Sequence, residues 1–211
     1  LNLYGKATSE NADFNGTSVH AYESSVYDVY GDGFENAYVY SGGGADAATM
    51  LGTSGNDRFY INQAYSYLKG NGSAFLNYAK NFTSVTTDVS SGGGLDRAYA
   101  YDSPGDDILT AGETQAMLDY DSGVSPGVDV TAIGFDETSV YAVNGGNDAA
   151  TLTGSPGNDR FTARDLYGRI VGNGGAYIRC AEGFDVVTGD ASGTTGTDVA
   201  VLFDAEGDDR L

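Results

Sequence analysis

Apolar and polar residues alternate along the chain in short runs, and each run is bounded by Gly, Asn, Asp or Ser. A period of two puts successive side chains on opposite faces, which is the mark of a half-buried strand and not of a helix. The pattern predicts strands at 36–40, 58–61, 85–89, 97–101, 139–143, 185–188 and 199–203.

These strands recur with the sequence. Asp46-Ala-Ala-Thr-Met-Leu-Gly-Thr-Ser-Gly-Asn-Asp-Arg-Phe59 returns as Asp148-Ala-Ala-Thr-Leu-Thr-Gly-Ser-Pro-Gly-Asn-Asp-Arg-Phe161, with looser copies opening at Asp96 and Asp198. The opening Asp residues are 50, 52 and 50 positions apart. Weaker corners beginning at Gly33, Asn81, Gly134 and Gly183, each followed by Phe, fall between them, so the chain reads as units of about 25 residues. Such a unit cannot bury a hydrophobic face alone, and stacking is the physical solution. Three short strands and three corners fill one unit. The expected fold is therefore all-β: a parallel β-helix of about eight coils, continuous over 1–211 as a single repeat solenoid. At ~4.8 Å per strand it would be a rod roughly 35–40 Å long. A β-propeller and a pair of β-sandwich domains are the alternatives. Propeller repeats do not split into similar halves, and no linker or composition shift divides the chain.

Composition supports the strand reading. Of 30 acidic residues 23 are Asp, a poor helix former, whereas 16 Tyr suit strands. The net charge of -20 argues against nucleic acid and anionic lipid as partners, and no apolar run reaches the ~20 residues of a membrane helix. The single Cys180 excludes an internal disulfide framework; matching Tyr78 of the equivalent half-repeat, it is expected to be a small core residue. The chain opens at Leu1 without Met or a signal-like segment, and it stops within a repeat at Gly207-Asp-Asp-Arg-Leu211. These ends suggest a slice of a longer chain, or copies stacked end to end in a filament.

The segments Gly52-Thr-Ser-Gly-Asn56-Asp57-Arg-Phe59 and Gly154-Ser-Pro-Gly-Asn158-Asp159-Arg-Phe161 resemble half of the calcium-binding nonapeptide of RTX-type secreted proteins, with the second Gly replaced and the motif occurring singly. The whole pattern looks more like the tandem repeats of very large secreted surface proteins of aquatic bacteria. That resemblance implies an extracellular or cell-surface structural or adhesive role, and no catalytic assignment.

Candidate chemistry centres on the acid two positions after each corner: Glu35, Asp57, Asp107, Asp136, Asp159, Asp185 and Asp209, interrupted by Thr83. In register they would form a column, and charges ~5 Å apart repel by ~1 kcal/mol in water. Cations would relieve it. Ca²⁺, which takes six to eight oxygens, suits this set with Asn56, Asn158, Asp106, Asp208 and corner carbonyls. The other reading is that each Asp accepts hydrogen bonds from its own turn and faces water. Tyr-rich strands offer either coil-on-coil ladders or a polysaccharide-stacking face. A carbohydrate-active enzyme is the competing class, with Asp119 and Asp121 beside a loop at 122–128 as its acid/base pair. Gly123-Val-Ser125-Pro126-Gly127 matches a nucleophile elbow only formally, because Pro126 lacks the N–H an oxyanion hole needs. Gly70-Asn-Gly72 and Gly172-Asn-Gly-Gly175 read as solenoid corners, not dinucleotide loops. No regular Thr-x-Thr column is visible to suggest ice binding.

Overall fold

The computed structural model describes residues 1–23, 26–70, 72–121, 128–192 and 195–203, with Val128 described by its backbone alone. Its strands are β1 (Asn2–Tyr4), β2 (Asn11–Asn15), β3 (Ser18–Glu23), β4 (Tyr27–Gly31), β5 (Asn36–Tyr40), β6 (Ala47–Leu51), β7 (Arg58–Asn62), β8 (Tyr65–Gly70), β9 (Phe75–Lys80), β10 (Ser84–Asp88), β11 (Arg97–Tyr101), β12 (Ile108–Ala111), β13 (Gln115–Tyr120), β14 (Val128–Ile133), β15 (Glu137–Tyr141), β16 (Ala149–Thr153), β17 (Arg160–Arg164), β18 (Tyr167–Gly172), β19 (Tyr177–Glu182), β20 (Val186–Asp190) and β21 (Val199–Leu202).

They form two sheets. Sheet A has eleven strands in the order β1-β5-β9-β8-β7-β11-β15-β19-β18-β17-β21; sheet B has ten, β20-β16-β12-β13-β14-β10-β6-β2-β3-β4. The chain advances along both sheets from one end to the other as a parallel β-solenoid of about five turns. The expected fold class holds, and the count of eight does not. The difference lies in the unit: β7, β8 and β9 are consecutive antiparallel neighbours in one sheet, so the chain folds back on itself before crossing. The same meander occurs at β2-β3-β4, β12-β13-β14 and β17-β18-β19. Each 50-residue repeat is thus a meander followed by two single strands, one in each sheet. Successive meanders alternate between B and A, so neighbouring repeats are related by a half-turn about the rod axis.

The corners Gly33, Asn81, Gly134 and Gly183 are all crossings between sheets, as expected, and all four have positive φ. At Gly183 (φ 88) a Cβ would stand 2.0 Å from the carbonyl oxygen of Ala142. Only a residue without a side chain lets the coils approach so closely. The Gly70 and Gly172 segments are not corners; they join β8 to β9 and β18 to β19 within sheet A.

The inner faces of the two sheets share one core. Crossing strands contribute small residues such as Ala37, Ala48, Ala98 and Ala150, while Phe82, Phe135 and Phe184, next to their corner residues, turn inward to fill the space. Small strand residues together with large corner residues let the two sheets pack closely. Cys180 is paired beside Ser139 on the outer face of sheet A, with its Sγ 3.9 Å from the Tyr167 hydroxyl, so the expected core position is corrected. Its equivalence to Tyr78 is sound. Both occupy the fourth place of the returning strand, and that place points outward.

Candidate functional site

A residue just before each parallel strand has two backbone duties. Its carbonyl accepts the amide that opens the strand of the next coil, and its own N–H needs an acceptor from that coil. Asp supplies one. The Asp57 N–H donates to the Asp96 carboxylate (2.7 Å), and the Asp96 N–H donates to Asp136 (2.7 Å). In sheet B, Asp107 donates to Asp148 (2.9 Å) and Asp148 to Asp185 (2.8 Å). Asp159 donates to Asp198 (3.0 Å), and Glu10 to Asp46 (2.6 Å). The carbonyls of Asp57, Asp96, Asp107 and Asp148 complete the ladder by accepting from Arg97, Glu137, Ala149 and Val186.

One continuous column of Asp57, Asp107 and Asp159 is therefore not formed. The half-turn between repeats sends Asp57 to sheet A and Asp107 to sheet B, and each stacks instead on the opening Asp of the repeats. Thr83 interrupts the series differently: its hydroxyl donates to the Asp46 carbonyl. Glu35 is exposed, and its carbonyl accepts from Leu76. Asp208 and Asp209 lie outside the described residues.

The first acid of each ladder is buried and held by its own turn. Asp107 accepts the Ser103 N–H (2.6 Å), the Ser103 hydroxyl (2.9 Å) and the Asp121 N–H (2.8 Å). Asp159 accepts the same three kinds of donor from Ser155 and Asn173. Asp57 accepts the Thr53 N–H and hydroxyl. A carboxylate fed by several N–H and O–H donors is stabilised without a cation. Asn56 and Asn158 follow suit, each side-chain oxygen accepting an amide of the next coil, from Leu95 and Thr197.

Of the residues expected to hold Ca²⁺, Asp57, Asp107 and Asp159 have both carboxylate oxygens accepting donors from their own turns, while Asp136 and Asp185 each give one oxygen to an amide of the preceding coil. Among the described residues no three His, Cys, Asp or Glu side chains converge. The turn reading is closer to the geometry, with one change: the carboxylates of Asp57, Asp107 and Asp159 are buried and do not face water. Burial shifts titration in the middle of the ladders. The Asp96 carboxyl is pushed up to about 6, first by desolvation and then by the neighbouring Asp57 and Asp136, against a lowering by the Asp57 amide. Asp148 is raised for the same first reason.

The structure does not bring Asp119 and Asp121 together as a pair. Asp119 stands on the outer face of sheet B opposite Asp129, and its carboxyl is raised by burial and by that neighbour. Asp121 is drawn into the corner, where its carboxylate accepts from Ser103 and Gln63. The loop at 122–127, which includes the formal nucleophile elbow, lies outside the described residues.

Two features carry no obvious motif. Arg179 is 1% exposed, and its guanidinium donates to the carbonyls of Gly112, Glu113 and Ile178 at 2.9 Å. Desolvation lowers its pKa to about 10. At the matching position Asn77 donates to the Gly16 carbonyl, so both residues reach across the core to the first hairpin turn of a meander in the other sheet. The second feature is a tyrosine row on the outer face of sheet A. Tyr38, Tyr78, Tyr67, Tyr60 and Tyr99 occupy five adjacent strands in register. The Tyr60 ring lies 4.8 Å from Tyr67 and 5.3 Å from Tyr99, at interplanar angles of 21° and 25°. Coplanar rings cannot approach so closely, so these stand upright and cover one another's faces, presenting edges and hydroxyls to solvent. This is a coil-on-coil ladder.

Compared with protein-family models, curated proteins and solved structures, the chain matches none.

Proposed function

We propose that the chain is a structural segment of the cell exterior, a solenoid that forms a rod and turns over no substrate. The observation that carries this reading is the use of the repeated acids: in three successive repeats the carboxylate before the first meander strand is buried in its own turn, and its amide is tied to the next coil. Residues that look like a binding column in the sequence are spent on joining coils. The resemblance to the tandem repeats of large secreted surface proteins supports the setting, and the net charge of -20 opposes lateral clumping.

Among the described residues, β1 and β21 in sheet A and β4 and β20 in sheet B pair on one side only. Their natural partners in this reading are further coils of the same kind, in a longer chain or in a second copy, continuing the ladder without closing it. Electron microscopy and small-angle scattering of the purified chain and of native material test it. Elongated particles or axial assemblies are expected, with no release of reducing sugar or unsaturated product from polysaccharides. Discrete globular particles in all material, or turnover abolished by Asp121→Ala, would overturn it in favour of the enzyme.

A further inference from the structure

Of the ten basic residues, eight lie in strands of sheet A and none in sheet B; Lys6 follows β1, and Arg210 lies outside the described residues. Within sheet A the densest group is at the second meander. Arg58 is directly opposite Lys69 on β8 and next to Arg97 on β11, so three cations stand side by side along the rod axis. Arg97 is paired with Glu137 at 2.5 Å. The side chains of Arg58 and Lys69 make no hydrogen bond or ion pair with any described residue; the Lys69 ammonium only lies 5.7 Å from the Tyr67 ring.

Like charges directly opposite one another on a sheet are destabilising. In a chain with three acids for every base, leaving this pair without a carboxylate is a cost the fold itself does not explain. The repeats act as an internal control. At the same register the fourth meander pairs Arg160 with Val171, the third pairs Ile108 with Asp119, and the first pairs Asn11 with Tyr22. Only the second places two cations together.

These two side chains line a polar cavity of about 340 Å³ with Asn56, Tyr60, Gly72 and Ser73. The Asn56 side-chain oxygen is taken by Leu95, so its NH₂ is the group left to offer a ligand. The nearby carboxylate of Asp57 is buried and engaged by Thr53. A cavity walled by a guanidinium, an ammonium, an amide and hydroxyls is a receptor for an oxyanion.

We propose that this cavity binds the sulfate or carboxylate groups of an acidic polysaccharide, with the chain lying along the rod across Lys69, Arg58 and Arg97. The cations repeat at the strand spacing of ~4.8 Å, which suits a linear polyanion better than a single small ion. The hydroxyl edges of Tyr67, Tyr60 and Tyr99 run beside them as hydrogen-bonding partners for sugar hydroxyls. This assigns the rod a ligand, and it stands or falls separately from the rod itself, whose shape is read by scattering.

The test is retention of the purified chain at low ionic strength on immobilised dextran sulfate, polygalacturonate and neutral dextran, beside an NMR titration with inorganic sulfate. Retention is expected on at least one acidic polymer, reversed by salt, and not on neutral dextran. The double variant Arg58→Gln/Lys69→Gln should bind at least ~10-fold more weakly, having lost two charge-assisted contacts. Arg160→Gln should change little, and circular dichroism should show all variants folded. Failure of the native chain to bind either acidic polymer overturns the proposal, as does equal retention of the double variant. Inorganic sulfate binding without polymer retention also overturns it, since a free anion would then be the ligand.

Discussion

Replacing Asp107 by Ala tests whether the repeated acids are structural. The side chain is fully buried and accepts two amides and one hydroxyl. The Ser103 hydroxyl can rotate to Asp121, which it already reaches at 3.1 Å, so the loss falls on the Ser103 and Asp121 N–H groups. A buried donor left without a partner costs ~1–3 kcal/mol, and part of that is offset by removing the repulsion with Asp148. A net loss of ~3 kcal/mol follows, which for a chain of this size lowers the melting temperature by roughly 6–12 °C. Asp107→Asn keeps one acceptor oxygen and turns an NH₂ toward the other donor, so about half that loss is expected. The neighbouring Asp106 is exposed and, among the described residues, accepts only from Asn147; Asp106→Ala should cost under ~1 kcal/mol. Thermal unfolding followed by circular dichroism, with hydrogen exchange at the corner, separates the three. If Asp107→Ala melts within about 2 °C of the parent, or no lower than Asp106→Ala, the carboxylate is not the staple described above.

Chelation provides a second test: because the corner oxygens already accept donors, the melting temperature should be the same in EDTA and in millimolar Ca²⁺, and a clear rise with Ca²⁺ would restore a metal at Asp57, Asp107 or Asp159. The Asp96 carboxyl, raised to about 6, holds its proton more tightly folded than unfolded, so its contribution to stability is present at low pH and lost as pH rises from about 4 through 6; Asp96→Asn should flatten that part of the pH–stability curve, and an unchanged slope would exclude it. Gly183→Ala combines a left-handed φ of 88 with a Cβ 2.0 Å from a backbone oxygen and should lower the melting temperature strongly, whereas Gly33→Ala (φ 76), with nothing within 4 Å, should cost only ~1 kcal/mol; equal effects in the two melts would remove close coil approach as the reason for Gly183.

Seven of the strands, the 50-residue repeat and the inter-sheet corners were legible because they rest on local signals: alternation, Gly, and Phe beside the corner residue. The meanders were not. Three of the four first hairpin turns lack the Asn-Gly signature found at Asn15-Gly16; at β7–β8, Asn62 alone folds the turn by accepting the amides of Ala64 and Tyr65. Without a visible hairpin, 25 residues read as a complete parallel coil. The column of Asp57, Asp107 and Asp159 failed for the same reason, since the alternation of sheets that separates them is set by the meanders. Asp96, Asp148 and Asp198 were visible as the markers of the repeat, and their partnership with the corner acids depends on register between strands about 40 residues apart. Arg179 gave no signal because its partners are backbone carbonyls of a turn in the opposite sheet.

The fold-back of each meander bears on how such a rod would respond to tension. Ten strand intervals in sheet A span only ~48 Å, yet a 50-residue repeat drawn out straight measures ~170 Å. The ladder hydrogen bonds run along the rod, so an axial pull opens them one after another instead of shearing whole strands at once. A repeat then yields at modest force and releases a long slack, while its neighbours, tied by their own Asp staples, hold. Stretched repeatedly, a chain of these units would act as a series of shock absorbers, and its force–extension trace would be a sawtooth with one tooth for each repeat.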